Sequence, residues 1–281
     1  MTRPEANAAG DARPIGVFDS GIGGLTVVSA LRRALPNESI YYLGDTARVP
    51  YGGKSPSTVQ RYSLEIAALL LGENAKTIVV ACNSASAVAL PALESTLPVA
   101  VTGVIAPGAK AAAAATRNGH IGVIGTRATI KSGAYEQALR RLNPDFRVTA
   151  RACPLLVPLI EEGWLTSDVT DRVLMQYLQP LLDEGVDTLV LGCTHYPLLR
   201  PAIARLLGAE VTLVDSAENC AIAVRELLAG SGLNAPAENV GELQVALTDP
   251  PDAFLEIAHE ALQLEIGQVE VRNLAGASAA L

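Results

Sequence analysis

Two cysteines stand out by where they fall. Cys82 closes the run Thr77-Ile78-Val79-Val80-Ala81, and Cys193 follows Thr188-Leu189-Val190-Leu191-Gly192. Each run is short, apolar, partly β-branched and uncharged, the pattern of a strand buried on both faces. Polar residues come next: Asn83 and Ser84 after the first, Thr194 and His195 after the second, then Pro197 as a helix starter. A thiol where a strand passes into a helix faces free backbone N–H groups and the positive end of a helix dipole, which favours the thiolate. A thiol tuned toward neutral pH can take or give a proton. Two of them on opposite faces of one carbon would invert a stereocentre. One thiolate removes the proton, and the opposite thiol supplies another from behind.

Done at the α-carbon of an amino acid, that chemistry must stabilise a carbanion strongly. A substrate carboxylate suits the helix N-termini beyond the two cysteines, with Asn83, Ser84, Thr194 and His195 as further donors. Pyridoxal phosphate would need a Schiff-base lysine. The lysines are Lys54, Lys76, Lys110 and Lys131, and none follows an active-site strand of this kind. No cofactor is therefore expected. No metal is expected either, because the histidines, His120, His195 and His259, are scattered. The 4 cysteines include no CxxC pair, which points to a reduced cytoplasmic compartment. Cys153 and Cys220 read as small buried hydrophobes.

The elements that must position these groups alternate between strand and helix. Ile15 to Phe18 is a strand running into Asp19-Ser20-Gly21-Ile22-Gly23-Gly24, a tight turn that fits no phosphate-loop motif. Asp19 and Ser20 sit at its carboxyl end, where ligands bind in open α/β sheets. The strand Ser39 to Leu43 leads into a polar loop carrying Tyr51 and Gly52, the kind of loop that lines sites. Helices are expected over 57–71, 109–115, 167–183 and 252–262. Further strands are expected near 99 and over 146–152, 211–214, 243–248 and 269–271.

Near Ala106 the pattern restarts. Ile121-Gly122-Val123-Ile124-Gly125-Thr126 echoes Ile15-Gly16-Val17-Phe18-Asp19-Ser20, and the two cysteine strands repeat at nearly the same offset. Such an echo indicates internal duplication. The expected fold class is α/β: two pseudo-symmetric, doubly wound halves with parallel sheets and the active site in the cleft between them. Residues 1–14 are expected to be a disordered lead-in, 15–105 with 214–281 the first domain, and 106–213 the second.

The chain has 281 residues, 49% of them hydrophobic, ample for a core, and a net charge of −8. An acidic chain without a basic patch argues against nucleic acid as a ligand. No apolar run reaches membrane-spanning length.

Four segments resemble the bacterial glutamate racemase family, within the aspartate/glutamate racemase superfamily. They are Asp19-Ser20-Gly21-Ile22-Gly23-Gly24-Leu25-Thr26, Gly44-Asp45-Thr46-Ala47-Arg48-Val49-Pro50-Tyr51-Gly52, Ala81-Cys82-Asn83-Ser84-Ala85-Ser86 and Gly192-Cys193-Thr194-His195-Tyr196-Pro197-Leu198-Leu199. The resemblance extends from about Ile15 to about Leu262. It implies a cofactor-independent, two-base interconversion of L- and D-glutamate, with D-glutamate going to peptidoglycan. It makes Cys82 and Cys193 the catalytic pair, the first acting on the D- and the second on the L-enantiomer. It places Asp19, Ser20, Tyr51, Gly52, Asn83, Ser84, Thr194 and His195 against substrate, with Asp19 and His195 assisting their neighbouring cysteines. Glu161, beside Glu162, matches a carboxylate associated with the second cysteine, and Thr126 and Thr129 add hydroxyls. A homodimer is implied as well. The sequence departs from the family pattern at Ser84, often threonine, and at Gly53, usually polar. Two other readings are an aspartate racemase of the same superfamily and a non-catalytic regulator that binds DNA gyrase.

Overall fold

In the computed structural model the described residues are 10–249 and 264–274. The chain runs β1 (Ile15–Asp19), α1 (Leu25–Ala34), β2 (Ile40–Gly44), α2 (Pro56–Gly72), β3 (Thr77–Val80), α3 (Asn83–Thr96) and β4 (Val101–Gly103). A second series follows: α4 (Ile105–Ala115), β5 (His120–Gly125), α5 (Arg127–Ser132), α6 (Ala134–Leu142), β6 (Arg147–Ala152), α7 (Leu156–Glu161), α8 (Asp168–Asp183) and β7 (Thr188–Gly192). The chain then continues through α9 (Arg200–Leu207), β8 (Thr212–Asp215), α10 (Ser216–Ser231), β9 (Leu243–Leu247) and β10 (Val269–Val271). The helix expected over 252–262 lies outside the described residues.

Two all-parallel sheets result, ordered β10-β9-β2-β1-β3-β4 and β6-β5-β7-β8. The repeat is visible in the pairing. Ile15 of β1 lies opposite Thr77 of β3, and Ile121 of β5 lies opposite Thr188 of β7. Each cysteine strand is thus the direct neighbour of the strand its half begins with. Sheet membership changes late in the chain: β8 continues the second sheet through Asp215, whereas β9 and β10 extend the first.

The apolar strands are covered on both faces, as parallel strands must be. On β1, Ile15 and Val17 point into one core and Phe18 into another, which is the strict alternation of a pleated strand. The shared core gathers the inner faces of both sheets around α1, α4 and α10, with Ile15, Val79, Val123 and Val190 in one cluster. Separate outer cores lie under α2 and α3 on the first sheet and under α8 and α9 on the second. Burying a side chain such as Leu25 or Val190 completely contributes about 1.5–3 kcal/mol. The rigid mass between the sheets is what fixes the strand ends relative to each other.

Helix starts follow local chemistry. Ser55 caps α2 by accepting from Thr58 N–H at 3.3 Å, with Pro56 in the first turn. Thr126 caps α5 by accepting from Thr129 N–H at 3.2 Å. Asp215 caps α10 by accepting from Ala217 N–H at 2.7 Å. The lead-in expected over 1–14 is anchored where it is described. Lys76 N donates to Pro14 O at 2.9 Å, and Lys76 Nζ donates to Asp11 O at 2.6 Å. Lys76 is itself buried in an ion pair with Glu38 at 2.5 Å. No helix of the described residues is long and apolar enough to cross a membrane.

Candidate active site

The carboxyl ends of β1, β3, β5 and β7 converge on a cavity of about 270 Å³. That is at the small end for a ligand site and fits a molecule of amino-acid size. Cys82 and Cys193 both line it, with Ser20, Tyr51, Gly52, Asn83, Ser84, Thr194 and His195. These come from both halves of the repeat. Asp19 does not line the cavity. It is fully buried just behind, accepting from Gly21 N–H at 3.0 Å and from the Thr194 hydroxyl at 3.4 Å.

The two sulfurs have unlike surroundings. Cys82 is the residue before α3, with its Sγ 3.5 Å from Ser20 Oγ. The sequence predicts a thiolate-favouring position, and here the structure corrects it. Burial pushes the Cys82 thiol up to about 12, with further upward pushes from the charges of Asp19 and Cys193. The Ser20 hydroxyl and Ala85 N–H act in the other direction and are outweighed. Cys82 therefore rests as a thiol.

Beyond Cys193 the expected helix start is instead a turn and a short 3₁₀ segment, Tyr196–Leu199, with α9 beginning only at Arg200. Prolines at 197 and 201 supply no backbone N–H and so cannot continue the hydrogen-bond ladder from the strand end. What stands beside Cys193 is a histidine. His195 Nδ1 lies 3.9 Å from Cys193 Sγ, and His195 Nε2 lies 3.1 Å from Glu161 Oε1. Burial alone would lower the imidazole's pKa. Its hydrogen bonds to Cys193 and Glu161, with the negative charge of Cys193 and Asp19, outweigh that and raise it to about 10. His195 is therefore an imidazolium beside Cys193, bridging to a half-exposed Glu161. Of the two neighbouring acids, it is Glu161 that lines the cavity.

The seam between the halves is stitched by side chains at the cavity itself. Tyr135 donates its hydroxyl to Asn83 Oδ1 at 2.7 Å. Thr26 donates to Thr194 O at 3.0 Å. Ser84 and Thr126 hydroxyls meet at 2.9 Å, and Thr129 lies within 3.4 Å of Ser84. Asn83 lines the cavity, and among the described residues its buried Nδ2 has no hydrogen-bond partner. A buried donor left unpaired costs about 1–3 kcal/mol, which a bound acceptor would recover.

Tyr51 and Gly52 are presented by a 3₁₀ turn after a cis Val49–Pro50 peptide. The Tyr51 hydroxyl donates to buried Asp45, which also accepts from Arg48 Nε at 2.7 Å and Thr248 Oγ1 at 3.1 Å. Arg48 extends to Glu65 and stacks on Tyr62 at 3.9 Å from the ring centroid. This charge network underpins the loop from below. Gly52 leaves room for Thr126, whose Cβ would be 3.0 Å from an added side-chain carbon.

Sequence reasoning missed several lining residues: Val49, Pro50, Arg127, Pro154, Val157 and Pro158. It also set aside Cys153, which lines the same cavity with its thiol pushed up to about 12 by burial. A cysteine at a strand end, after Ala152 of β6, was the available signal. Tyr135 gave none, since its partner Asn83 is far away in sequence.

Two like α/β sheets closing on a cavity that a cysteine from each half lines define a racemase-type architecture. Residues 15–226 match the model of the Asp/Glu/Hydantoin racemase family. The chain is 53% identical over 257 residues to a glutamate racemase of Geobacter metallireducens, covering 92% of this chain and 95% of that one. A crystal structure of a Bacillus anthracis glutamate racemase isoform superposes with a TM-score of 0.89 at 43% identity, covering 93% of this chain and 97% of that one. A Francisella tularensis glutamate racemase solved in complex with D-glutamate gives 0.88 at 37% identity, covering 94% and 98%. The chain belongs to the Asp/Glu/Hydantoin racemase family, and is an amino-acid racemase, an isomerase.

Proposed function

We propose that the chain interconverts L- and D-glutamate by a two-thiol mechanism that needs no cofactor. The observation that carries this reading is the placement of Cys82 and Cys193, from equivalent strand ends of the two halves, on one amino-acid-sized cavity. The unlike surroundings of the two sulfurs suit opposite roles in the first half-reaction. Cys193, facing the His195 imidazolium, takes the α-proton of L-glutamate. The Cα–H bond breaks, an S–H bond forms, and the electron pair passes into the carboxylate. The Cys82 thiol then gives its proton to the opposite face, forming the new Cα–H bond and leaving Cys82 as thiolate. D-glutamate runs the steps in reverse.

The dianionic intermediate is held by donors rather than by a metal or an electron sink. Asn83 Nδ2 is free for a carboxylate oxygen. Ser20, Ser84, Thr194 and backbone N–H groups at Tyr51 and Gly52 supply further donors, while Asp19 and His195 work through their neighbouring sulfurs. We take the halves as two domains, the first interrupted by the second. We place the enzyme in the cytoplasm as a homodimer, making D-glutamate for peptidoglycan.

Incubation with L-glutamate or L-aspartate in deuterium oxide, without added cofactor, tests this. Glutamate loses optical rotation and gains α-deuterium. Cys82→Ser and Cys193→Ser each lose racemisation by about 10²–10⁴-fold. Turnover of aspartate in place of glutamate would move the substrate to the aspartate reading. Full activity in either cysteine variant would overturn the mechanism.

A further inference from the structure

We infer that Arg127 is the residue that draws anionic substrate to the cleft, acting as a point of positive potential at its entrance. The inference rests on the racemase reading and adds to it a determinant of substrate capture. Arg127 is exposed and yet lines the cavity, so it stands at the rim. Among the described residues lining that cavity it is the sole lysine or arginine. Arg48, the other arginine nearby, is committed to Asp45 and Glu65.

Arg127 has no such commitment. Among the described residues it makes no side-chain hydrogen bond or ion pair. Its position is also locally unfavourable. It is the first residue of α5, where the helix dipole disfavours a cation, and no acid in that turn offsets it. The end of α5 that favours positive charge already carries Lys131. An unpaired guanidinium at the wrong end of a helix, on the wall of a substrate cavity, has an electrostatic role toward something absent from the fold.

The surroundings define that role. The chain carries −8 overall, and at the cavity the buried His195 imidazolium is offset by Glu161, its ion-pair partner on the wall, and by Asp19 behind. A glutamate anion approaching such a protein is repelled at long range. A single exposed cation at the rim reverses the sign locally and raises the substrate concentration at the mouth. The backbone beneath Arg127 is fixed, because Thr126 is held by Ser84 and Thr129 hydroxyls and packs on Gly52. The backbone that carries the guanidinium is therefore anchored at the seam where the two halves meet.

Racemisation of L-glutamate by wild type, Arg127→Gln, Arg127→Glu and Arg127→Lys, measured against ionic strength, tests this. At about 0.01 M salt the Debye length is about 30 Å, and at 1 M it is about 3 Å. Arg127→Gln lowers kcat/KM about fivefold at low salt, the loss falling in KM, and converges on wild type at high salt. Arg127→Glu falls further, and Arg127→Lys follows wild type. An Arg127→Gln enzyme with the wild-type salt dependence overturns the inference, as does a deficit that persists undiminished at 1 M salt. In either case a wild type that racemises glutamate leaves the racemase reading standing. A wild type inert toward glutamate instead removes that reading, and this inference with it.

Discussion

Replacing Gly23 by alanine tests whether His195 and Thr194 act from the places the fold gives them. Gly23 lies in the turn after β1, on the opposite half of the repeat from His195. A Cβ there would stand 2.4 Å from His195 Nδ1 and 2.5 Å from Thr194 Oγ1. Ordinary contact begins at 3.4 Å, so the loop bearing Cys193 must retreat by about 1 Å. Neither neighbour is the loose end of a flexible chain. His195 is tied to Cys193 and Glu161, and Thr194 to Asp19 and, through its carbonyl, to Thr26. A displacement of that size at a reacting group costs on the order of 10²-fold in rate. The expected result is a kcat near one-hundredth of wild type, with a smaller change in KM. Gly53→Ala is the control: it lies on the same cavity, but an added Cβ there meets nothing within 4 Å. Its kcat should stay within about twofold of wild type. Both are read by circular dichroism of glutamate solutions and by α-deuterium uptake. A Gly23→Ala enzyme with near-normal kcat would refute the claim that the histidine's present position matters to proton transfer.

Four further outcomes follow from the same geometry. His195→Gln removes the imidazolium and lowers kcat/KM about 10²-fold for both enantiomers, equally, because the equilibrium constant of a racemisation is one; full activity would exclude His195 from the chemistry. His195 has a folded-state pKa near 10 against 6.5 for the free side chain, so its contribution to stability is complete below about 6.5 and is lost as pH rises toward 10; urea unfolding across that range, flattened in His195→Gln, measures it. Asn83→Asp replaces the cavity's unpaired donor by a carboxylate and raises KM for glutamate at least tenfold, checked by initial rates. Tyr51→Phe removes one of the partners of buried Asp45 and lowers unfolding free energy by about 1–3 kcal/mol, read from denaturant midpoints.

What could be read along the chain was whatever is local. The buried runs ending at Cys82 and Cys193 and the Gly-rich turn after Asp19 are each set by a few adjacent residues. The strand and helix order and the site residues on those turns follow from them. The misreadings arise where distant groups decide. The dipole argument at Cys82 considered α3 alone, and burial under Tyr51, Ala85 and the rest of that core reversed it. The 3₁₀ segment after Cys193 depends on how Tyr196 sinks to donate to Cys153 O at 3.0 Å. Cys153 is the buried core residue expected, and its added place on the cavity wall depends on contacts that nothing near it in sequence announces. Tyr135 and Asn83, more than fifty positions apart, meet only because α6 of one half lies over α3 of the other.

The unequal settings of the two sulfurs have a consequence for repeated cycles. On the proposed two-thiol mechanism, a pass from L to D leaves the protons exchanged, with Cys193 as thiol and Cys82 as thiolate, a form that accepts D-glutamate but not L. Before another L molecule can react, the vacant enzyme must trade those protons back. Burial and the charge of Asp19 make Cys82 a costly place to leave a charge, which favours its reprotonation. Where substrate is high enough to outrun that recovery, it limits flux on this mechanism, and return of tracer from product to substrate measures it.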